Sequence, residues 1–240
     1  MSNPIDYPSV EQYPIAQRWP AKHPERIQLY SLGTPNGVKV SIALEELQLP
    51  YEAHRVTLAD SDVKSPEFLS LNPNNKIPAI IDPNGPDGKP IGLFESGAIL
   101  IYFAEKTGKL IGNTPREKAK IIQWLMFQMG GAGPMFGQLG FFHAYAGKEI
   151  EDPRPKQRYV DEVKRLLNVV EQQLSGQDWI AGEFSIADIA LAPWIDTLDR
   201  FYAAGEILEL SKFKQTQQYI ERFKQKDSVQ TGWKIPAQNS

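Results

Sequence analysis

Two short motifs in the first half of this 240-residue chain have the residue types needed to hold a peptide. In the first, Ile77-Pro78 lies at the start of an apolar strand that ends at Ile81. In the second, the acid–serine pair Glu95-Ser96 joins a strand to a helix. An exposed backbone edge can pair with an extended peptide, and a helix N-terminus attracts carboxylates. The two motifs together therefore predict a peptide clamp.

The absence of cysteine limits the chemistry that such a clamp could perform. A chain without cysteine can form neither a disulfide nor a thiol nucleophile of its own. If thiol chemistry occurs here, the thiol must belong to the bound peptide. His23, His54 and His143 are scattered, with no acidic residue at a familiar ligand spacing, so we expect no metal site.

Charge and hydropathy exclude other classes of function. The net charge of -3 argues against broad nucleic-acid binding, which usually requires a basic face. No apolar run approaches the roughly 18 residues of a membrane-spanning helix. The first 25 residues contain prolines and charges but no hydrophobic segment typical of a secretory signal. We therefore expect a cytoplasmic protein that contacts neither membrane nor nucleic acid.

The pattern of residues 26–110 predicts the elements that must position the two motifs. Alternating apolar residues indicate strands, a 3.6-residue period indicates helices, and the resulting order is β-α-β-α-β-β-α. Because the crossovers come first and a hairpin comes last, the sheet must be mixed. The predicted strands are 26–32, 51–58, 78–81 and 91–94.

The remainder of the chain has helical rather than strand patterns. Capping boxes at residues 114–117 and 185–188 open predicted helices, and strand patterns largely stop after Gly112. Glycines and a proline at 130–134 predict a kink or a break. We predict an N-terminal arm (1–25), an α/β domain (26–110), an all-α domain (115–230) and a tail (231–240).

Three motifs, in this order, resemble the glutathione transferase superfamily, and within it the Nu class. They are residues 31–37 (SLGTPNG), 74–79 (NNKIPA) and 94–100 (FESGAIL). That class contains bacterial disulfide-bond oxidoreductases and is related to the yeast nitrogen-regulatory prion protein. The resemblance covers roughly residues 26–230. It implies a thioredoxin-like α/β domain followed by an all-α domain, a homodimer, and glutathione as cosubstrate.

The resemblance also implies how glutathione would be held. The Ile77–Pro78 bond is expected to be cis, so that the Ile77 backbone pairs with the cysteinyl residue of the ligand. Ser96, besides capping its helix, would bind the γ-glutamyl carboxylate, and Glu95 the neighbouring ammonium. Lys76 is a candidate for the glycyl carboxylate. Arg158 falls where the Nu pattern has an arginine that reaches the site from the helical domain.

Thr34 and Asn36 are the candidates for stabilising the glutathione thiolate. A free thiol has a pKa of about 8.5, and lowering it by about 2 units requires roughly 2.7 kcal/mol in favour of the anion. The Thr34 hydroxyl, the Asn36 amide and a helix dipole could together supply this energy. Ser31 is an alternative, and Tyr30 is a weaker one because strand alternation turns it away from the polar turn.

One departure from the Nu pattern concerns Val63, which occupies a loop position where related sequences tend to have glutamine. A polar contact to glutathione is therefore expected to be missing or supplied elsewhere. In the helical domain, aromatic and glycine residues between 130 and 145 could wall an apolar second-substrate pocket or pack a dimer.

These observations predict an enzyme that uses the thiolate of bound glutathione. The Nu likeness favours disulfide reduction, in which two glutathiones become glutathione disulfide, over conjugation or peroxide reduction. Without a cysteine in the chain, both reacting thiols would be ligands. The alternative is a non-catalytic glutathione-binding or regulatory protein on the same fold. The short, proline-rich arm disfavours a prion-like regulator, which needs a long tail rich in Asn and Gln.

Overall fold

The computed structural model describes residues 8–237, which divide into two compact units. The first unit comprises residues 8–103 together with 231–237, and the second comprises residues 104–230. Residues 1–7 of the predicted arm and 238–240 of the predicted tail lie outside the described residues.

A four-stranded sheet forms the centre of the first unit, with strand order β2-β1-β3-β4. β1 is parallel to β2 and antiparallel to β3, and β3 is antiparallel to β4. The sheet is therefore mixed, as the order of predicted crossovers and hairpin required. The strands are β1 (Ile27–Ser31), β2 (Tyr51–Arg55), β3 (Ala79–Asp82) and β4 (Ile91–Phe94).

Helices connect these strands in the predicted order, with one additional short helix. They are α1 (Gly37–Leu47), α2 (Asp60–Val63), α3 (Pro66–Leu71) and α4 (Ser96–Thr107). Ser65 caps α3, because its hydroxyl accepts a hydrogen bond from the Phe68 amide at 3.2 Å. The burial of α1 extends beyond its apolar residues, since Lys39 and Ser41 are also inaccessible to solvent.

The described part of the arm belongs to the core of the first unit. Two 3-10 turns, Val10–Gln12 and Pro14–Gln17, place Val10 and Ile15 in an apolar cluster with Phe68. The Trp19 indole N–H donates to the Arg55 carbonyl at 3.2 Å. These residues of the arm therefore pack against the first unit, and burial of their apolar side chains contributes to the stability of the unit.

The second unit is built from helices, which confirms the predicted all-α domain. One turn of π-helix, Gln128–Ala132, connects α5 to α6. The glycine-rich run therefore changes the helical geometry locally, while the backbone stays helical from α5 to α6. The helices are α5 (Pro115–Phe127), α6 (Gly133–His143), α7 (Pro153–Gln173), α8 (Ile186–Arg200), α9 (Lys214–Lys224) and α10 (Asp227–Gly232), whose last two residues belong to the first unit.

Both predicted capping boxes are present in this unit. Thr114 and Glu117 cap α5 reciprocally, as do Ser185 and Asp188 for α8. The fully buried Asp188 carboxylate also accepts a hydrogen bond from the Ile180 amide at 2.9 Å, so it ties the preceding loop to the helix. Burial raises the pKa of Asp188 to about 6, and the hydrogen bonds oppose this shift.

The segment after α9 returns to the first unit. There the Ser41 hydroxyl of α1 donates to the Gly232 carbonyl at 2.6 Å, and Gly232 lies directly against Ile42. Residues 231–237, predicted as a tail, thus pack on α1. Within residues 8–237, no helix is long and apolar enough to cross a membrane.

Candidate functional site

Strand register brings the three sequence motifs to one edge of the sheet. Tyr30 of β1 is paired with Ala79 of β3, and Ala79 is paired with Phe94 of β4. The turn after β1, the loop before β3 and the junction after β4 therefore leave the sheet side by side. α1 and α4 both begin at this edge, so the positive ends of two helix dipoles point towards it. The arrangement favours an anionic ligand.

Thr34 caps the first turn of α1. Its Oγ1 accepts a hydrogen bond from the Gly37 amide at 3.2 Å, and its carbonyl accepts from the Val38 amide at 3.0 Å. A hydroxyl that accepts one bond can still donate another, so Thr34 retains the donor that a thiolate would need. Asn36 lies in the same turn, partly exposed. Gly37 is required for this geometry, because a Cβ atom there would collide with the Leu32 carbonyl oxygen.

The two alternative thiolate partners are less accessible. Ser31 is 0% exposed, and its hydroxyl lies beneath the turn, 3.5 Å from the Leu32 carbonyl oxygen. Tyr30 is also 0% exposed and stacks on His54 with ring centroids 4.8 Å apart. Burial raises the pKa of Tyr30 above its ordinary value, and the Glu52 carboxylate raises it further. A tyrosine in this environment is a poor source of a hydrogen bond to an incoming thiolate.

The Ile77–Pro78 peptide bond is cis, as predicted. Ile77 lies just before β3, and among residues 8–237 its backbone N–H and C=O form no hydrogen bond. Buried backbone groups are nearly always paired, so these two groups are candidates for pairing with a ligand. Asn72 was not identified from the sequence. Its Nδ2 donates to the Lys76 carbonyl at 2.5 Å, and its Oδ1 accepts from the Asn74 amide, which fixes the loop before Ile77.

Glu95 and Ser96 lie where β4 passes into α4. Glu95 adopts a left-handed backbone conformation with φ of 71°, which is uncommon for a residue with a side chain. Its Oε1 accepts a hydrogen bond from Asn74 Nδ2 at 3.4 Å, so the two loops touch through side chains. Glu95 is exposed, whereas Ser96 is 2% exposed. Strained residues of this kind are concentrated at functional sites.

Lys39 is the other residue that sequence reasoning missed. It lies in the first turn of α1, is 0% exposed, and its Nζ donates to Ser96 Oγ at 3.4 Å. Burial lowers the pKa of Lys39 to about 7, and the negative charge of Glu95 opposes this shift. The one sequence signal for its burial is that a lysine interrupts apolar residues of α1, and isolated lysines of this kind are common on exposed helix surfaces. A fully buried lysine is rare.

Lys76 and Val63 also lie in the first unit. Lys76 is exposed beside the Ile77–Pro78 bond. Val63 packs into the apolar core of the first unit, so its side chain offers no polar contact. Among residues 8–237, no group of three or more His, Cys, Asp or Glu residues could hold a metal ion.

Arg158 lies in the second unit on α7. It lines an open groove of about 790 Å³ together with Met135, Arg154 and Tyr159. Phe142 stacks on Tyr159 with ring centroids 5.5 Å apart, so an aromatic surface adjoins the arginines. Such a groove combines groups that bind carboxylates with groups that bind apolar surfaces.

The chain matches two family models over most of its length. Residues 34–106 match the N-terminal domain of glutathione S-transferases, and residues 136–227 match the C-terminal domain. The disulfide-bond oxidoreductase YfcG of Escherichia coli K12 is 42% identical over 85% of this chain and 92% of its own length.

Two solved structures resemble the chain closely. A glutathione transferase from Pseudomonas putida, with one glutathione disulfide bound per subunit, is 57% identical with a TM-score of 0.94, covering 95% of this chain and 100% of that one. A glutathione transferase from Burkholderia graminis, with two glutathione molecules bound per subunit, is 58% identical with a TM-score of 0.93, covering 98% and 100%. The sequence resemblance and the predicted fold are therefore confirmed.

Proposed function

This chain belongs to the glutathione S-transferase family, and we propose that it is a glutathione-dependent disulfide reductase. The register Tyr30–Ala79–Phe94 carries the proposal, because it gathers the thiolate, backbone and carboxylate motifs at one edge of the sheet. The relatives described with glutathione or glutathione disulfide support the same ligand. Resemblance to a disulfide-bond oxidoreductase supports the reaction.

Glutathione would be held by four sets of contacts in the first unit. The Ile77 N–H and C=O would pair with its cysteinyl backbone as an added strand. Ser96 and the N-terminus of α4 would bind the γ-glutamyl carboxylate, while Glu95 would bind the adjacent ammonium. Lys76 would reach the glycyl carboxylate. The Ile77 backbone, which has no hydrogen-bond partner among residues 8–237, and the exposed Glu95 carboxylate support these assignments.

Thr34 and Asn36 would bind the sulfur of this glutathione as a thiolate. The thiolate attacks one sulfur of a disulfide, the old S–S bond breaks, and the departing thiolate takes a proton from water. A second glutathione thiolate then attacks the glutathione sulfur of the mixed disulfide, which yields glutathione disulfide and releases the second thiol. Two glutathiones supply the two electrons. Since the chain has no cysteine, its contribution is positioning and thiolate stabilisation.

Arg158 would bind a carboxylate of a glutathione. Its place in a groove with Arg154 and an aromatic surface supports this role, because guanidinium groups bind carboxylates in a bidentate manner. In that groove, Met135 and the ring of Tyr159 would contact hydrophobic substituents of a disulfide, while the other lining residues are polar or charged. Peroxide reduction would use the same thiolate, with the peroxide oxygen in place of the disulfide sulfur. We further propose that the protein is a homodimer, as the resemblance to the Nu class implies. We also propose that it is cytoplasmic, since glutathione keeps thiols reduced in that compartment.

The decisive experiment measures turnover of 2-hydroxyethyl disulfide with glutathione, and separately turnover of an aryl halide. We expect ready disulfide turnover that falls at least about tenfold in Asn36→Ala, equivalent to about 1.4 kcal/mol of lost stabilisation. Glu11→Gln, an exposed change in the arm, is the control and should retain full activity. Turnover with the aryl halide alone would overturn the reductase assignment. A glutathione-dependent thermal shift without any turnover would favour the non-catalytic alternative.

A further inference from the structure

Lys39 is a lysine whose side chain is fully buried. Its ammonium lies beneath the junction of β4 and α4 and contacts Ser96 Oγ at 3.4 Å. The residue is 0% exposed, so the ammonium acts on a ligand only through the groups that separate it from solvent. Leaving water is costly for a lysine, and a purely apolar residue would fill the same position at lower cost. The position therefore calls for a functional explanation.

We propose that Lys39 is a positioning residue for the γ-glutamyl head of glutathione, acting through the Ser96 hydroxyl. This inference rests on the proposed function, since it concerns the same carboxylate site. A serine hydroxyl has one hydrogen and two acceptor positions. When the Lys39 ammonium donates to Ser96 Oγ, the hydroxyl hydrogen turns outward, towards the ligand carboxylate. The ammonium also adds a positive charge behind the hydroxyl, where low polarity strengthens its effect.

The charges at this junction complement those of the ligand head. The protein presents a buried cation at Lys39 of α1, which contacts Ser96, and an exposed anion at Glu95, the residue before Ser96. The γ-glutamyl head of glutathione presents a carboxylate and an ammonium on one carbon atom. Matching cation with carboxylate and anion with ammonium favours an α-amino acid head over a plain carboxylate. The pair therefore gives the site a means of selecting glutathione.

The surroundings of Lys39 make this contribution dependent on pH. Its lowered pKa, about 7, places the loss of its charge near neutrality. Glu95 is the carboxylate whose charge favours the ammonium, and the first turn of α4 (96–99) has no titratable side chain. The segment 231–237, which packs on α1, contributes Lys234 as its one titratable side chain. A bound carboxylate would favour the charged form of Lys39, so binding above pH 7 would take up protons.

The test is calorimetric titration of the full chain with S-methylglutathione, which has no ionisable thiol, between pH 6 and 8.5. In wild type we expect the affinity to fall about tenfold across this range, a change of about 1.4 kcal/mol. The binding enthalpy should depend on the ionisation enthalpy of the buffer near pH 7.5, as proton uptake requires. Lys39→Met should bind more weakly at pH 6 and show a flatter profile. Lys39→Arg, whose charge persists, should restore affinity at pH 8.5.

Lys120→Met is the control, because Lys120 is an exposed lysine on α5. It should reproduce the wild-type profile, including any titration of the ligand amino group, which is common to all variants. Wild-type affinity that is constant over this range would overturn the inference, as would parallel profiles for wild type and Lys39→Met. In both cases binding itself would leave the proposed function standing. Failure of wild type to bind at any pH would overturn the proposed function and this inference together.

Discussion

Asn74 and Glu95 join the two halves of the proposed clamp, since Asn74 Nδ2 donates to Glu95 Oε1 at 3.4 Å. Asn74 belongs to the loop before the cis Ile77–Pro78 bond, and Glu95 follows β4. The bond therefore links the Glu95 carboxylate to the loop that leads into Ile77. In the proposed clamp, the loop that would pair with the ligand backbone and the carboxylate that would pair with its ammonium are thus linked before the ligand binds. Such preorganisation reduces the entropy lost on binding.

We expect Glu95→Gln to weaken glutathione binding with little change in turnover at saturation. The glutamine keeps the shape of the side chain but loses the charge that pairs with the ligand ammonium. Loss of such a charged contact costs roughly 1.5–3 kcal/mol, so KM for glutathione should rise about tenfold or more. Steady-state kinetics with varied glutathione measure this, with Glu11→Gln as the control. A fall in kcat at unchanged KM would contradict the assigned role.

Thr34→Val and Asn36→Ala should each raise the pKa of the bound thiol, by about 1 unit if each provides about 1.4 kcal/mol of thiolate stabilisation. Each change removes one hydrogen-bond donor from the turn that begins α1. Ultraviolet absorbance of the thiolate in the complex, titrated against pH, measures the shift directly. Ser31→Ala is the comparison and should leave the thiol pKa unchanged, because Ser31 is buried beneath the turn. A shift in Ser31→Ala alone would transfer the role to that residue.

Tyr30→Phe should leave activity intact and increase stability. The Tyr30 hydroxyl is buried and, among the described residues, has no hydrogen-bond partner. Removing an unsatisfied buried hydroxyl while keeping the ring should raise the free energy of unfolding by about 1 kcal/mol. Urea denaturation and the disulfide reduction assay test the two halves of this expectation. A large loss of activity would instead support a tyrosine mechanism.

Lys39→Met should stabilise the protein most at low pH. The pKa of Lys39 is lowered to about 7 in the folded state from 10.5, so the folded protein binds fewer protons between these values. Wild-type stability should therefore rise with pH across this window, and burial of the charge is most costly below pH 7. The gain from Lys39→Met should be largest at pH 6 and smaller at pH 9.

Thermal denaturation of wild type, Lys39→Met and Lys120→Met at these two pH values measures that difference. The exposed Lys120 should show no pH-dependent gain. A gain for Lys39→Met that grows with pH would contradict the direction of the pKa shift. A stabilised variant with weakened ligand binding would show that this lysine is retained for function at the expense of stability.

Asp188→Ala should destabilise the helical unit severely. The Asp188 carboxylate accepts hydrogen bonds from the Ile180 and Ser185 amides, both at 2.9 Å, and its removal leaves these buried donors unpaired. We expect a loss of about 2–5 kcal/mol in the free energy of unfolding. Asp178→Ala is the control, since its ion pair with Arg222 is at the surface and should contribute under about 1 kcal/mol. Equal losses in the two variants would contradict the capping role.

Local chemistry allowed much of this architecture to be predicted. Turn residues, caps and alternating apolar positions predicted the strands and helices, and the resemblance predicted the cis bond at Ile77–Pro78. The burial of Lys39 and the loop-fixing bonds of Asn72 were not predicted. Both depend on contacts formed between distant parts of the chain, and neither residue stands out by type or spacing. Tertiary contacts of this kind leave little signal in a single sequence.

The hydrogen bond from Ser41 to the Gly232 carbonyl has a consequence for the order in which the protein is made. The ribosome releases β1 and α1 early, yet the partner of Ser41 lies 191 residues later. Chains tend to fold unit by unit, from the N-terminus, as they are synthesised. Here the helical unit is synthesised in between, so this contact of the first unit can form only after the whole helical unit has been synthesised.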